Sequence, residues 1–151
     1  MNNYLTTKEL EQHIKDTYAK LKPYATKDGL YIPLETVFDT TTPRGFPGSF
    51  CYADDKGYHY GVINDRGVLS TKPITEDLSD ITYQALENNI FWMSVEYERK
   101  RRVKRQDFRR IMFDKRLQYW KVIGDYYYER AKEEIAEVLQ SSPFDDHQIP
   151  I

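Results

Sequence analysis

Phe50-Cys51-Tyr52-Ala53, Tyr58-His59-Tyr60-Gly61-Val62-Ile63 and Val68-Leu69-Ser70-Thr71-Lys72 are three strand-like runs, set apart by Asp54-Asp55-Lys56-Gly57 and Asn64-Asp65-Arg66-Gly67. Each separator ends in glycine, which takes the left-handed conformation that closes a hairpin. The spacing predicts an antiparallel β-meander. Alternation puts Tyr58, Tyr60 and Val62 on one face of the middle strand and His59, Gly61 and Ile63 on the other.

Helical patterns flank the meander. Upstream, Thr6 and Glu9 have the spacing of a capping box, in which each side chain bonds the other residue's backbone amide. Leu10, Ile14, Thr17, Tyr18 and Leu21 then fall on one face at a 3.6-residue period, and Pro23 stops the helix. Residues 23–48 are rich in proline and glycine and read as an irregular connection, with a short extended piece over Leu30 to Val37.

Downstream, Thr75 before Glu76 and Asp77 predicts the cap of a long helix from Glu76 to Val103. At 100° per residue its apolar stripe is Leu78, Ile81, Ala85, Trp92 and Val103, with Asn89 and Glu96 projecting into it. A third helix, Arg105 to Ile123, carries Phe108, Ile111, Met112, Tyr119 and Val122 on one side and Phe113, Leu117 and Trp120 on the other. Gly124-Asp125 breaks and recaps the chain, Tyr126 to Leu139 form the last helix, and Pro143 ends it. The expected fold is one α+β domain over residues 1–151: a small antiparallel β-meander packed against a layer of about four helices.

A chain of 151 residues with 30% charged and 40% hydrophobic side chains can bury about two-thirds of its unfolded surface, as soluble globular proteins do. Met1-Asn2-Asn3-Tyr4-Leu5 has no basic patch leading into an apolar run. The longest strongly apolar stretch, Ile90 to Met93, is far short of the roughly 20 residues that span a bilayer. Cys51 is the lone cysteine, which excludes internal disulfides and cysteine-built metal clusters. These features together predict a cytoplasmic protein with no membrane partner.

Charge is strongly polarised along the sequence. Residues 99–121 hold 11 Lys/Arg against only Asp107 and Asp114, a net +9, and the remainder is −11. The run from Arg99 to Arg105 has two readings: a site for phosphates or acidic groups, or the solvated end of one helix and start of the next, where basic residues suit the helix dipole. Helical geometry separates the arginines of the third helix. Arg109 lies between its two apolar faces, whereas Arg110 points towards Asp114 and Lys121. Glu96 also faces inward, and a buried charge is costly unless paired. Glu96 is therefore expected to pair with Arg109, or failing that with Arg102.

The sequence offers no catalytic constellation, and no catalytic residue, metal site or cofactor is assigned. His13, His59 and His147 are scattered without metal-ligand spacing, and no phosphate loop, nucleophile elbow or dinucleotide fingerprint occurs. Cys51, beside aromatics in a strand, reads as a small core residue. Tyrosine occurs 13 times, and its amphipathic ring suits interfaces as well as cores. The face bearing Tyr52, Tyr58 and Tyr60 can serve either purpose, whereas Tyr126 lies on the polar side of the last helix and suits an exposed contact.

One further pattern is carried by Glu96-Tyr97-Glu98, Arg102, Gln106-Asp107-Phe108-Arg109-Arg110 and Phe113, followed by Ile135, Leu139 and Pro143-Phe144-Asp145-Asp146. Over residues 75–146 this resembles the immunity protein 63 family of bacterial polymorphic toxin systems. The upstream Glu76-Asp77-Leu78 cap and the aromatic Phe91-Trp92 segment are similar too. The resemblance implies a cytoplasmic immunity protein, not an enzyme, that binds and neutralises a cognate toxin domain. Under it Glu96, Tyr97, Glu98, Arg102, Asp107, Phe108, Arg109, Arg110 and Phe113 are scaffold residues. Partner contacts fall on the acidic, aromatic remainder: Tyr52, Asp54, Asp55, Tyr58, Tyr60, Tyr126, Asp145 and Asp146. Such a surface complements a basic cleft, as a nuclease toxin would present. The competing function is a small nucleic-acid-binding or regulatory protein that uses the basic segment 99–116, with nucleic acid the less favoured partner.

Overall fold

Thr6 and Glu9 close the expected capping box: the Thr6 amide donates to Glu9 Oε1 at 2.9 Å and the Glu9 amide to Thr6 Oγ1 at 3.2 Å. Helix α1, Thr7–Ala19, follows directly and buries Leu10, Ile14, Thr17 and Tyr18. A computed structural model describes residues 3–147 of the chain. Its elements continue with helix α2 (Lys22–Lys27), strands β1 (Gly48–Asp54), β2 (Gly57–Ile63) and β3 (Leu69–Thr71), and helices α3 (Leu78–Lys100), α4 (Arg109–Ile123) and α5 (Asp125–Ser141). A three-strand antiparallel sheet with four substantial helices makes the fold α+β, as expected.

The described chain divides into two compact units, Met1–Ala19 with Pro33–Glu87 and Lys20–Ile32 with Asn88–Ile151. The first unit holds twelve acidic and six basic residues, a net −6; the second holds twelve and sixteen, a net +4.

The first unit is built on the meander. β1 and β2 pair from Gly48↔Ile63 to Asp54↔Gly57, so only Asp55 and Lys56 make the turn. β2 and β3 pair from Gly61↔Thr71 to Ile63↔Leu69, giving the order β1-β2-β3. Two glycines are needed for more than the turns. A Cβ on Gly57, at φ +132°, would lie 2.6 Å from the Thr75 carbonyl oxygen, and one on Gly61 would lie 2.5 Å from the Phe50 ring. Cys51 is buried in β1, and burial pushes its thiol up to about 12, as suits an inert core residue.

The second unit packs Met112 and Phe113 of α4 against Ile135 of α5, with Val95, Leu117, Leu139 and Phe144 around them. Burying each such side chain contributes roughly 1.5–3 kcal/mol. Gly124 separates α4 from α5, and Trp120 stacks on Tyr127 with 5.7 Å between ring centres. A polar cluster is enclosed as well. Asp28 accepts from Lys115 at 2.6 Å and from the Tyr119 hydroxyl at 2.9 Å, and these bonds outweigh burial in holding its carboxyl below the usual range.

Five expectations need correction. Pro23 opens the short helix α2 as well as following α1, since a first-turn proline lacks only an amide that would be unsatisfied anyway. The extended piece at 30–37 reduces to a bridge between Val37 and Phe50. The cap of α3 is Asp77 rather than Thr75: Asp77 Oδ1 accepts the Ser79 amide at 2.8 Å, while Thr75 Oγ1 accepts the Asp77 amide. α3 ends at Lys100 and α4 starts at Arg109, leaving residues 101–108 as a connection. Trp92 and Val103, placed on the buried stripe by periodicity, are 50% and 48% exposed.

Candidate functional site

Residues 107–113 and 142–146 form one polar assembly. Asp107 is fully buried, and its carboxylate accepts the Arg109 amide at 3.0 Å, Arg109 Nη2 at 2.8 Å and the Asp145 amide at 2.9 Å. Nε of Arg109 lies 3.2 Å from both carboxylate oxygens. The rest of the guanidinium turns to the chain beyond α5, donating to the Ser142 carbonyl at 2.9 Å and the Pro143 carbonyl at 2.9 Å. Arg110 grips Asp146 with two bonds of 2.8 and 2.9 Å, and Asp146 also accepts the Asp107 amide at 3.0 Å. The Phe144 ring lies under Arg110, 4.3 Å from ring centre to guanidinium carbon, and 6.2 Å from the Phe113 ring.

The Arg109 guanidinium holds the Asp107 carboxyl far below the usual carboxylate range; burial opposes this, and the Asp145 and Arg109 amides add to it. Arg110 lowers Asp146 in the same way. The Asp107 carboxylate and the Arg109 and Arg110 guanidiniums all bond groups of the same chain, so the assembly acts as a clamp on residues 142–146. It joins Arg109 and Arg110 to residues about thirty-five positions later in the sequence.

The expected Glu96–Arg109 pair does not form. Arg109 takes Asp107, and Glu96 bonds Arg99 at 2.7 Å near the surface. The buried carboxylate of α3 is Glu98, 1% exposed, and it holds Arg102 through bonds of 2.7 and 3.0 Å. Glu96 and Glu98 are two positions apart, about 200° around a helix, so they lie on nearly opposite sides of α3 and burial of one leaves the other at the surface. Phe108 is half-exposed at the start of α4. Tyr97 lies beneath two cations, Arg101 at 3.9 Å and Lys115 at 4.3 Å.

These partners also divide the basic segment. Arg99, Arg102, Arg109, Arg110, Lys115 and Arg116 each have a carboxylate, Arg116 through Glu134 at 3.1 Å. Among the described residues Lys100, Arg101, Lys104 and Arg105 of this segment have no ion pair and are exposed, Arg101 lying over the Tyr97 ring. Four cations without a carboxylate leave much less for a phosphate backbone than the count in the sequence.

The aromatic, acidic residues separate by burial. Tyr58 and Tyr60, 3% and 8% exposed, belong to the core, and the Tyr58 hydroxyl accepts the Leu5 amide at 2.9 Å. Tyr52 is half-buried and stacks on His59 with ring centres 4.3 Å apart. Asp54 accepts from His59 at 2.9 Å and from the Lys56 amide, which hold its carboxyl low. Asp55 is exposed at the hairpin tip, and with Asp54, Ala53, Tyr4 and Thr7 it lines an open cleft of about 430 Å³. Tyr126 is exposed on α5. Asp145 and Asp146 belong to the clamp. Of the residues expected to meet a partner, Asp54, Asp55, Tyr126, Asp145 and Asp146 are exposed and Tyr52 is half-buried, with the Asp146 carboxylate taken by Arg110.

Among the described residues no group of three or more His, Cys, Asp or Glu is placed to hold a metal ion, and no helix is long and apolar enough to cross a membrane. A family model described as immunity protein 63 matches residues 54–137, more than half of the chain. No curated protein and no solved structure matches it.

Proposed function

The chain belongs to the immunity protein 63 family, and from that premise we propose that it binds a cognate bacterial toxin domain in the cytoplasm and neutralises it without covalent chemistry. The family match carries this reading. The separation of roles within the chain supports it. Asp107, Arg109 and Arg110 are taken up by the internal clamp, while the first unit has a net charge of −6 and exposes Asp54 and Asp55 at a hairpin tip beside Tyr52. An acidic, aromatic surface of this kind attracts a basic cleft, speeding encounter and selecting the partner. A nuclease, which must bind phosphates, is the toxin class with such a cleft.

Co-expression tests the reading. The toxin domain encoded by the neighbouring gene should halt growth alone, be tolerated when this chain is present, and co-purify with it. Growth arrest that persists with the chain fully expressed would end the proposal.

A further inference from the structure

The two outer edges of the sheet are treated differently. Along β1 the residues whose backbone groups turn away from β2 are Ser49, Cys51 and Ala53, and the chain answers them. The Val37 amide donates to the Ser49 carbonyl at 3.0 Å and the Cys51 amide to the Val37 carbonyl at 2.9 Å. The Thr7 hydroxyl bonds both the Ala53 amide, at 3.0 Å, and the Ala53 carbonyl, at 3.2 Å. Two segments distant in sequence therefore close this edge, as proteins commonly do to prevent stray strand pairing.

Along β3 the ladder bonds of Asn64 to Val68 and of Lys72 to Tyr60 fix the phase. Val68, Ser70 and Lys72 face β2, so Leu69 and Thr71 direct their N–H and C=O groups outward. Among the described residues nothing bonds these groups. Apolar side chains line the same edge: Val62, Val68, Leu69 and Ile74 are all exposed. The opening is short. The Asn64–Gly67 turn closes one end, and at the other the chain bulges at Pro73 and returns to pair Thr75 with Tyr58. A three-residue edge bounded in this way suits one short extended segment and resists open-ended stacking.

We infer that the outer edge of β3 docks an extended segment of the toxin, which adds as a fourth strand by pairing with the backbone of Leu69 and Thr71. This rests on the immunity reading. The occupant is the toxin rather than a second copy of this chain because each copy brings a unit of net −6 to the edge, whereas a basic partner is drawn to it. Backbone pairing supplies the affinity, and the apolar side chains beside the edge select the residues that face them.

Thr71→Pro is the cleanest test. It deletes an outward amide while every ladder bond to β2 stays, a position where edge strands accept proline. The probe is the neighbouring gene's toxin domain carrying an inactivating substitution, titrated against full-length chains. Thr71→Pro should unfold at the wild-type temperature and bind at least tenfold more weakly. In the wild type, the Leu69 and Thr71 amides should gain hydrogen-exchange protection when the toxin is added, a readout that holds even if the variant folds poorly. Wild-type binding that Thr71→Pro does not weaken, or amides that stay unprotected, would overturn the edge and leave the immunity reading standing. Failure of the wild type to bind would overturn both. A dimer of this chain alone that Thr71→Pro disperses would assign the edge to a second copy and overturn the toxin as occupant.

Discussion

Asp107 and Thr71 lie in regions that handle polar groups in opposite ways. Around Asp107 the carboxylate and the Arg109 guanidinium are taken up by partners in the same chain, down to the carbonyls of Ser142 and Pro143. Along β3 the amides and carbonyls of Leu69 and Thr71 face outward, beside apolar side chains that are also uncovered. Groups satisfied internally contribute to folding and offer little to a partner. Groups left unsatisfied contribute little to folding and are available for binding. The residues around Asp107 are therefore expected to govern stability, and partner recognition is expected to fall elsewhere.

The comparison breaks first at Asp107, where the largest effect is expected. Asp107→Ala leaves Arg109 enclosed without its carboxylate and frees the Asp145 amide, so unfolding in urea should show a loss of about 3–5 kcal/mol. Acid should reveal the same pair. The folded-state carboxyl titrates well below its unfolded value of about 4, so its contribution is complete above that value and fades as pH falls. Wild-type stability should drop from about pH 5 downward, and Asp107→Asn should flatten that acid limb. An acid limb unchanged in Asp107→Asn would show that the clamp does not hold the fold.

A smaller effect separates the two carboxylates of α3. Glu98→Ala removes a buried acceptor but leaves Arg102 partly solvated, so a loss of about 2 kcal/mol is expected. Glu96→Ala breaks a solvated pair with Arg99, worth about 0.3 kcal/mol. Equal losses in the two variants, measured by thermal unfolding, would contradict the pairing described for α3.

What could be read from the residues follows how local each interaction is. The meander was legible because glycine-ended turns and alternating strands are short-range patterns, and Thr6 with Glu9 announced α1 for the same reason. The phase of α3 was not. Periodicity placed Trp92 inside because it is apolar, yet a single exposed tryptophan costs a fold little, and the same error exchanged Glu96 for Glu98. A signal for the clamp was present: an aspartate two residues before Arg109 is a capping residue, which would have moved the start of α4 from Arg105. The closure of β1 by Thr7 gave none, since the partners are 46 residues apart and no periodicity links them.

The smallest effect on folding is expected at the hairpin tip, which sharpens the comparison from the other side. Asp55 is exposed and lies in a two-residue turn, so Asp55→Lys should leave the unfolding midpoint within about 0.5 kcal/mol of the wild type. Its effect should appear in the rate of encounter with the toxin domain. Reversing one charge in a unit of net −6 should slow association several-fold at low salt, with the difference shrinking as salt rises and dissociation little changed. Stopped-flow association across a salt series measures this. A variant that associates as fast as the wild type at low salt would remove Asp55 from the approach surface, while the edge of β3, tested by dissociation and amide protection, would be untouched. The two features are separable because long-range charge sets how often the partners meet, and backbone pairing sets how long they stay together.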